Sequence, residues 1–143
     1  GYGLCSHFLA PGYKQVMGID AEGPSIRAAI FNKKPNPSSR NARFLARRIT
    51  ARSVEKIPLP DDLGAETILL DPPRQGPQEG VIGALGRREP RKVLHIHCGV
   101  DQIPNSLKQW QQHGYKVQRI VPLDMFPGTA GLEVLILLER GSG

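Results

Sequence analysis

Apolar residues fall in short runs separated by glycine- and proline-rich breaks, a pattern that predicts alternating strands and helices. The clearest run, Ile68-Leu69-Leu70, reads as a strand buried on both faces and halts at Asp71-Pro72-Pro73-Arg74-Gln75-Gly76. Two consecutive prolines fix φ and withdraw two N–H donors, so a sheet ladder must end there. Asp71 is thereby set on a stiff turn at the carboxyl end of a strand, where open α/β sheets meet their ligands. A strand-ending turn with a solvated aspartate is the plainer alternative.

Upstream, Gly1-Tyr2-Gly3-Leu4 leads into a short apolar helix at Phe8 and Leu9, closed by Pro11-Gly12. A glycine pair before a helix resembles the turn after the first strand of a nucleotide-binding α/β domain. No such strand precedes it here, so the sequence reads as a fragment of a longer protein. Val16-Met17-Gly18-Ile19 predicts a strand ending at Asp20, seventeen residues past Gly3. A carboxylate near that spacing reaches ribose hydroxyls in Rossmann-like folds, although an aspartate opening the next turn fits equally well. Gly23-Pro24 starts a helix with Ile26, Ala29 and Ile30 as its apolar stripe.

Residues 42–50 alternate around Phe44, Ala46 and Ile49 and predict a third, more exposed strand, its arginines near a sheet edge. A helix over 78–85 is weakened by Gly80 and Gly83. Strand 91–98 and helix 106–113, with Leu107 and Trp110 at helical spacing, follow. Strands 115–123 and 132–139 are joined by so short a loop that they should be antiparallel neighbours. The expected fold class is α/β: a doubly wound, Rossmann-like sheet, mostly parallel, with a reversed last strand and its first strand missing.

The 143 residues suffice for one domain with a real core, and no apolar run is long enough to span a bilayer. With no signal peptide and two distant cysteines, Cys5 and Cys98, the chain reads as cytoplasmic and free of disulfides. A net charge of +6 points weakly to a polyanionic partner. Arg40, Arg43, Arg47, Arg48 and Arg52 form one basic cluster; Arg87, Arg88, Arg91 and Lys92 form another. Each suits either a solvated face or phosphate contact.

Two more residues carry candidate chemistry. Cys98 ends its strand before Gly99, on the rim expected for Asp71, and is either a buried structural thiol or a reactive one. Glu133 opens the run Val134 to Leu138 as either a solvated strand start or a base with a shifted pKa. A metal site at His95, His97 and Cys98 is disfavoured, because strand alternation puts Cys98 on the opposite face from both histidines.

Together, Leu69 to Gly76, Val93 to Cys98 and Asp124-Met125-Phe126-Pro127-Gly128-Thr129 running to Glu133 resemble the catalytic domain of the S-adenosylmethionine-dependent RNA (uracil-5-)-methyltransferases. These enzymes form 5-methyluridine in tRNA or rRNA. The likeness covers Gly1 to Arg140 in the family's order, with 27 residues from Asp71 to Cys98 and 35 from Cys98 to Glu133. It implies a class I methyltransferase domain over residues 1–143, S-adenosyl-L-methionine as cofactor and tRNA or rRNA as partner. Cys98 matches the nucleophile and Glu133 the proton acceptor. Gly1, Gly3, Asp20 and Asp71 match the cofactor-binding positions.

Several positions depart from the family. Ser-Cys-Asn-Pro becomes His97-Cys98-Gly99-Val100, and the ending loses a glutamine at Gly128 and a histidine at Gly131. Leu4 replaces a common polar cofactor contact, and no acidic residue follows the third strand among Arg47, Arg48 and Ile49. Two other readings stay open. One is a methyltransferase acting on another base or position, with Cys98 idle. The other is a non-catalytic RNA-binding module on a decayed enzyme fold.

Overall fold

The computed structural model describes residues 1–62, 65–125, 127–129 and 131–141. The chain forms two compact units, Gly1–Ile49 and Thr50–Gly143.

In the first unit, Gly3 adopts φ 86° and starts helix α1, Leu4–Leu9. A Cβ at Gly3 would lie 2.9 Å from both Ala29 Cβ and His7 Nε2, so only glycine fits this left-handed turn. Helix α1 buries no side chain, and Phe8, predicted as part of an apolar helix, is 83% exposed. Strand β1, Val16–Asp20, pairs in parallel with β2, Ala42–Ala46, across helix α2, Gly23–Lys33. Ile26 and Ala29 of α2 are buried as predicted, but Ile30 is exposed. The α2 end is tied to β2 by Lys33 Nζ, which donates to the Ala42 carbonyl at 2.7 Å.

Strand β2 stops at Ala46, short of the predicted 50, because Thr50 is already committed to another element. Its hydroxyl accepts from Ser53 N at 3.1 Å while Ser53 Oγ accepts from Thr50 N at 2.8 Å. This reciprocal cap starts the unpredicted four-residue helix α3, Ala51–Val54.

The second unit holds a four-stranded sheet in the order β3-β4-β6-β5. Strand β3, Thr67–Leu70, is parallel to β4, Lys92–His97. Strand β6, Glu133–Arg140, runs antiparallel to both β4 and β5, Tyr115–Leu123, as the short connection predicts. The two sheets are separate ladders, and β3 is a half-buried end strand of its own sheet rather than one buried on both faces. Helix α4, Val81–Gly86, begins at Gly80 in a left-handed conformation, so Gly80 caps the predicted helix rather than lying inside it.

Helix α5, Ile103–Gln111, covers one sheet face with Trp110. Strand β4 alternates Val93, His95 and His97 into that core. Trp110 packs edge-on against Tyr115, with ring centroids 5.3 Å apart, and the buried Tyr115 hydroxyl donates to the Pro90 carbonyl at 2.6 Å. Among the described residues no helix is long and apolar enough to cross a membrane.

Candidate active site

The carboxyl end of β4 and the amino end of β6 meet by register. His97 lies opposite Val134, so Cys98 and Glu133 each occupy the next position outward on adjacent strands. Leu70 lies opposite His95, and the chain leaves β3 there through Asp71 and the double proline. The turn closes tightly, with Gly76 N donating to the Pro73 carbonyl at 2.7 Å and Gly76 at φ 81°. Sheet pairing thus brings Asp71, Arg74, Cys98 and Glu133 to one rim.

Three of these groups bear on the fourth, Cys98. Burial pushes the Cys98 thiol above its ordinary value. The negative charges of Glu133 and then Asp71 push it further, and Glu133 adds to this as an acceptor for the S–H. The guanidinium of Arg74 acts in the other direction and favours the thiolate. Cys98 is half-buried and free of any disulfide. In this resting arrangement it is a thiol beside two carboxylates, with one cation as its counterweight. The Arg74 role was not foreseen, although the Asp-Pro-Pro-Arg turn contained its signal: such a stiff turn holds the side chains at its two ends close together.

Other side chains join the two turns of the second unit. Gln102, before α5, bonds through Nε2 to Asp101 Oδ2 at 2.9 Å, and its Oε1 lies 3.2 Å from where a Gly76 Cβ would stand. The turn after Cys98 thus lies close to the Asp71 turn, where Gly76 at φ 81° suits the left-handed backbone.

Gly1, Gly3 and Asp20 lie in the first unit. The amino group of Gly1 contacts Asp20 Oδ2, and Asp20 Oδ1 accepts from Glu22 N at 2.9 Å. The glycine turn and the strand-end carboxylate are thus adjacent. Phe126 and Ala130, within the predicted Asp124-to-Glu133 segment, lie outside the described residues. Among the described residues, no three His, Cys, Asp or Glu side chains gather as metal ligands would.

A family model described as tRNA (uracil-5-)-methyltransferase matches residues 1–141. The chain belongs to that family. Among relatives of this uracil-5-methyltransferase family, an uncharacterized RNA methyltransferase of Clostridium acetobutylicum is 29% identical over 98% of this chain and 30% of its own length. An uncharacterized RNA methyltransferase of Thermosynechococcus vestitus is 32% identical over 96% of this chain and 30% of its own. The chain thus spans less than a third of the curated relatives it matches. The crystal structure of Pyrococcus abyssi tRNA (uracil-54, C5)-methyltransferase, in complex with S-adenosyl-L-homocysteine, superposes with a TM-score of 0.78 at 26% identity. That match covers 96% of this chain and 32% of the archaeal one. The fold is therefore the Rossmann-like fold of methyltransferases.

Proposed function

We propose that residues 1–143 act as the catalytic domain of an S-adenosylmethionine-dependent enzyme that methylates carbon 5 of a uridine in tRNA or rRNA through a covalent adduct on Cys98. The observation carrying this reading is the β4–β6 register that sets Cys98 across from Glu133, with Glu133, Asp71 and Arg74 all bearing on the thiol. Family membership and the S-adenosyl-L-homocysteine bound by the archaeal relative support the cofactor.

The residues present fit that cofactor. The main chain at Gly1 is open, Gly3 gives the left-handed turn into α1, and the carboxylate of Asp20, at the end of β1, suits a ribose diol. Asp71 serves as the second acid at the cofactor. When bound, S-adenosylmethionine supplies an electrophilic methyl group.

Each protein side chain then has a definite task. The target uridine leaves its stack so that its ring can reach Cys98. The Cys98 thiol gives its proton to solvent, a loss that Arg74 favours, and the thiolate forms a bond to carbon 6 of the uracil, pushing electron density onto carbon 5 and oxygen 4. Carbon 5, now nucleophilic, takes the methyl group. Glu133 accepts the proton from carbon 5, the ring double bond re-forms, and the sulfur–carbon 6 bond breaks to return the thiolate.

RNA carrying 5-fluorouracil tests the scheme, because fluorine at carbon 5 leaves no proton for Glu133 to take. The expected result with full-length protein and cofactor is a stable RNA adduct mapped to Cys98 and absent in Cys98→Ala. Full methylation of ordinary RNA by Cys98→Ala would instead select a methyltransferase of another specificity. A second reading, a non-catalytic module, draws on the motif departures around Cys98 and Glu133. It would bind RNA with neither adduct nor methylation.

A further inference from the structure

Beneath the Cys98 turn lies a polar pair that the proposed reaction does not use. His95 and His97 are 0% and 3% exposed, and their rings stack with centroids 3.9 Å apart at 36°. The indole N–H of Trp110 donates to His95 Nδ1 at 3.2 Å. Nδ1 is therefore the acceptor, and the neutral ring carries its proton on Nε2. Among the described residues that nitrogen has no hydrogen-bond partner, and neither ring nitrogen of His97 has one. The main-chain carbonyls of His95 and Val134 draw His97 toward its protonated form, but neither reaches hydrogen-bonding geometry.

Apart from the main-chain carbonyls of His95 and Val134 beside His97, the surroundings of the pair offer no support for a positive charge among the described residues. Across the ladders stand Leu70 on β3 and Val134 and Ile136 on β6, all apolar. From α5 come the neutral Trp110 and the buried Ser106. Among the described residues, the one charged neighbour acting on His95 is His97 itself, and no carboxylate acts on either ring. Burial, then the charge His97 would carry, lower His95 to about 3, and burial lowers His97 as well. An imidazolium here would be a buried charge without a counterion.

One peptide bond separates His97, the last residue of β4, from Cys98. We infer that His95 and His97 form a proton-operated latch under the Cys98 turn. Neutral, the stacked rings pin the end of β4. Protonation of either ring is accommodated by opening of that end, which carries Cys98 away from Glu133. His97 is thus a positioning residue for Cys98, and only its effect on methyl transfer rests on the proposed function.

The sign follows from linkage. The pinned state favours neutral rings and an opened state does not. The latch is therefore fully closed above the ordinary histidine value of about 6.5 and loosens as pH falls below it. The opened population gains up to about tenfold per pH unit for each histidine released.

The chain's single tryptophan, Trp110, bonds directly to the pair and gives a readout independent of activity. Its emission and acrylamide quenching would be followed in intact protein from pH 8 to pH 5, where carboxylates stay ionised. The expected result is rising Trp110 exposure below pH ~6.5, with a shallower rise in His97→Phe, which keeps a ring but cannot be protonated. Trapping of 5-fluorouracil RNA should fall over the same range in wild type and less in His97→Phe. An unchanged Trp110 signal down to pH 5 in wild type would overturn the latch. So would an identical transition in His97→Phe; if that variant fails to fold, His97→Leu serves the same comparison. A Trp110 transition of the expected kind with no adduct at any pH would keep the latch and reject the proposed reaction.

Discussion

The two ends of the four-stranded sheet treat charge in opposite ways. At the end away from Cys98, Glu66 meets Arg88, Glu139 meets Lys92 at 2.8 Å, and Glu89 meets Arg140 at 2.7 Å. In the first of these pairs Arg88 is buried and Glu66 partly so, and Arg88 also donates to the carbonyls of Ile57 and Pro58 at 2.8 and 3.1 Å. That end is closed by opposite charges with their hydrogen bonds filled. At the other end, Asp71 and Glu133 both bear on the Cys98 thiol, with Arg74 alone opposing them. Charge at the first end locks the fold. At the second it leaves a thiol whose ionisation depends on what enters the site.

The difference can be probed from both sides. The largest effect is expected at the Cys98 end: Glu133→Gln should slow methyl transfer by about 10²–10⁴-fold, the usual worth of a positioned base. Single-turnover assays should show adduct formation on ordinary RNA persisting while product release from the adduct fails. At the closed end, Arg88→Met leaves the part-buried Glu66 without its cation and two carbonyls without the Arg88 donor. It should lower unfolding stability in urea by about 3–5 kcal/mol. The alkylation rate of Cys98 in the folded variant should not change.

Gly76→Ala forces a side chain into a left-handed turn against Gln102, at a cost of about 1–2 kcal/mol, and should reduce adduct yield as well as stability. Lys92→Ala removes a partly exposed pair. It should cost less than about 1 kcal/mol, and that cost should shrink in high salt.

Much of this second unit was legible in the sequence because its signals are covalent. The double proline at 72 and 73 ends β3 wherever the strand lies, and the short loop before Glu133 permits little besides an antiparallel pair. Burial was less legible. Ile68 to Leu70 are as apolar as a doubly covered strand, yet β3 ends its sheet and is half-buried, and Ile30 fits the helical stripe but is exposed. Periodicity reports which residues share a face, not what covers that face.

Helix α3 escaped notice because a Thr50–Ser53 cap, rather than an apolar stripe, holds its four residues. At the candidate site, strand-end positions located Asp71, Cys98 and Glu133 one by one. Their mutual effect on the thiol, and the Trp110 bond that fixes the His95 tautomer, depend on pairing between residues distant in sequence.

The central claim, that Glu133 and Asp71 hold Cys98 as a thiol at the site, is tested most directly by the pH dependence of Cys98 alkylation. A Cys5→Ser background removes this chain's other thiol, and peptide mapping of the label reads Cys98 alone. The account predicts a titration above the ordinary cysteine value that moves down in Glu133→Gln, moves down less in Asp71→Asn, and moves up in Arg74→Gln. A titration at or below the ordinary value in the parent, or one that none of the three substitutions moves, would contradict it.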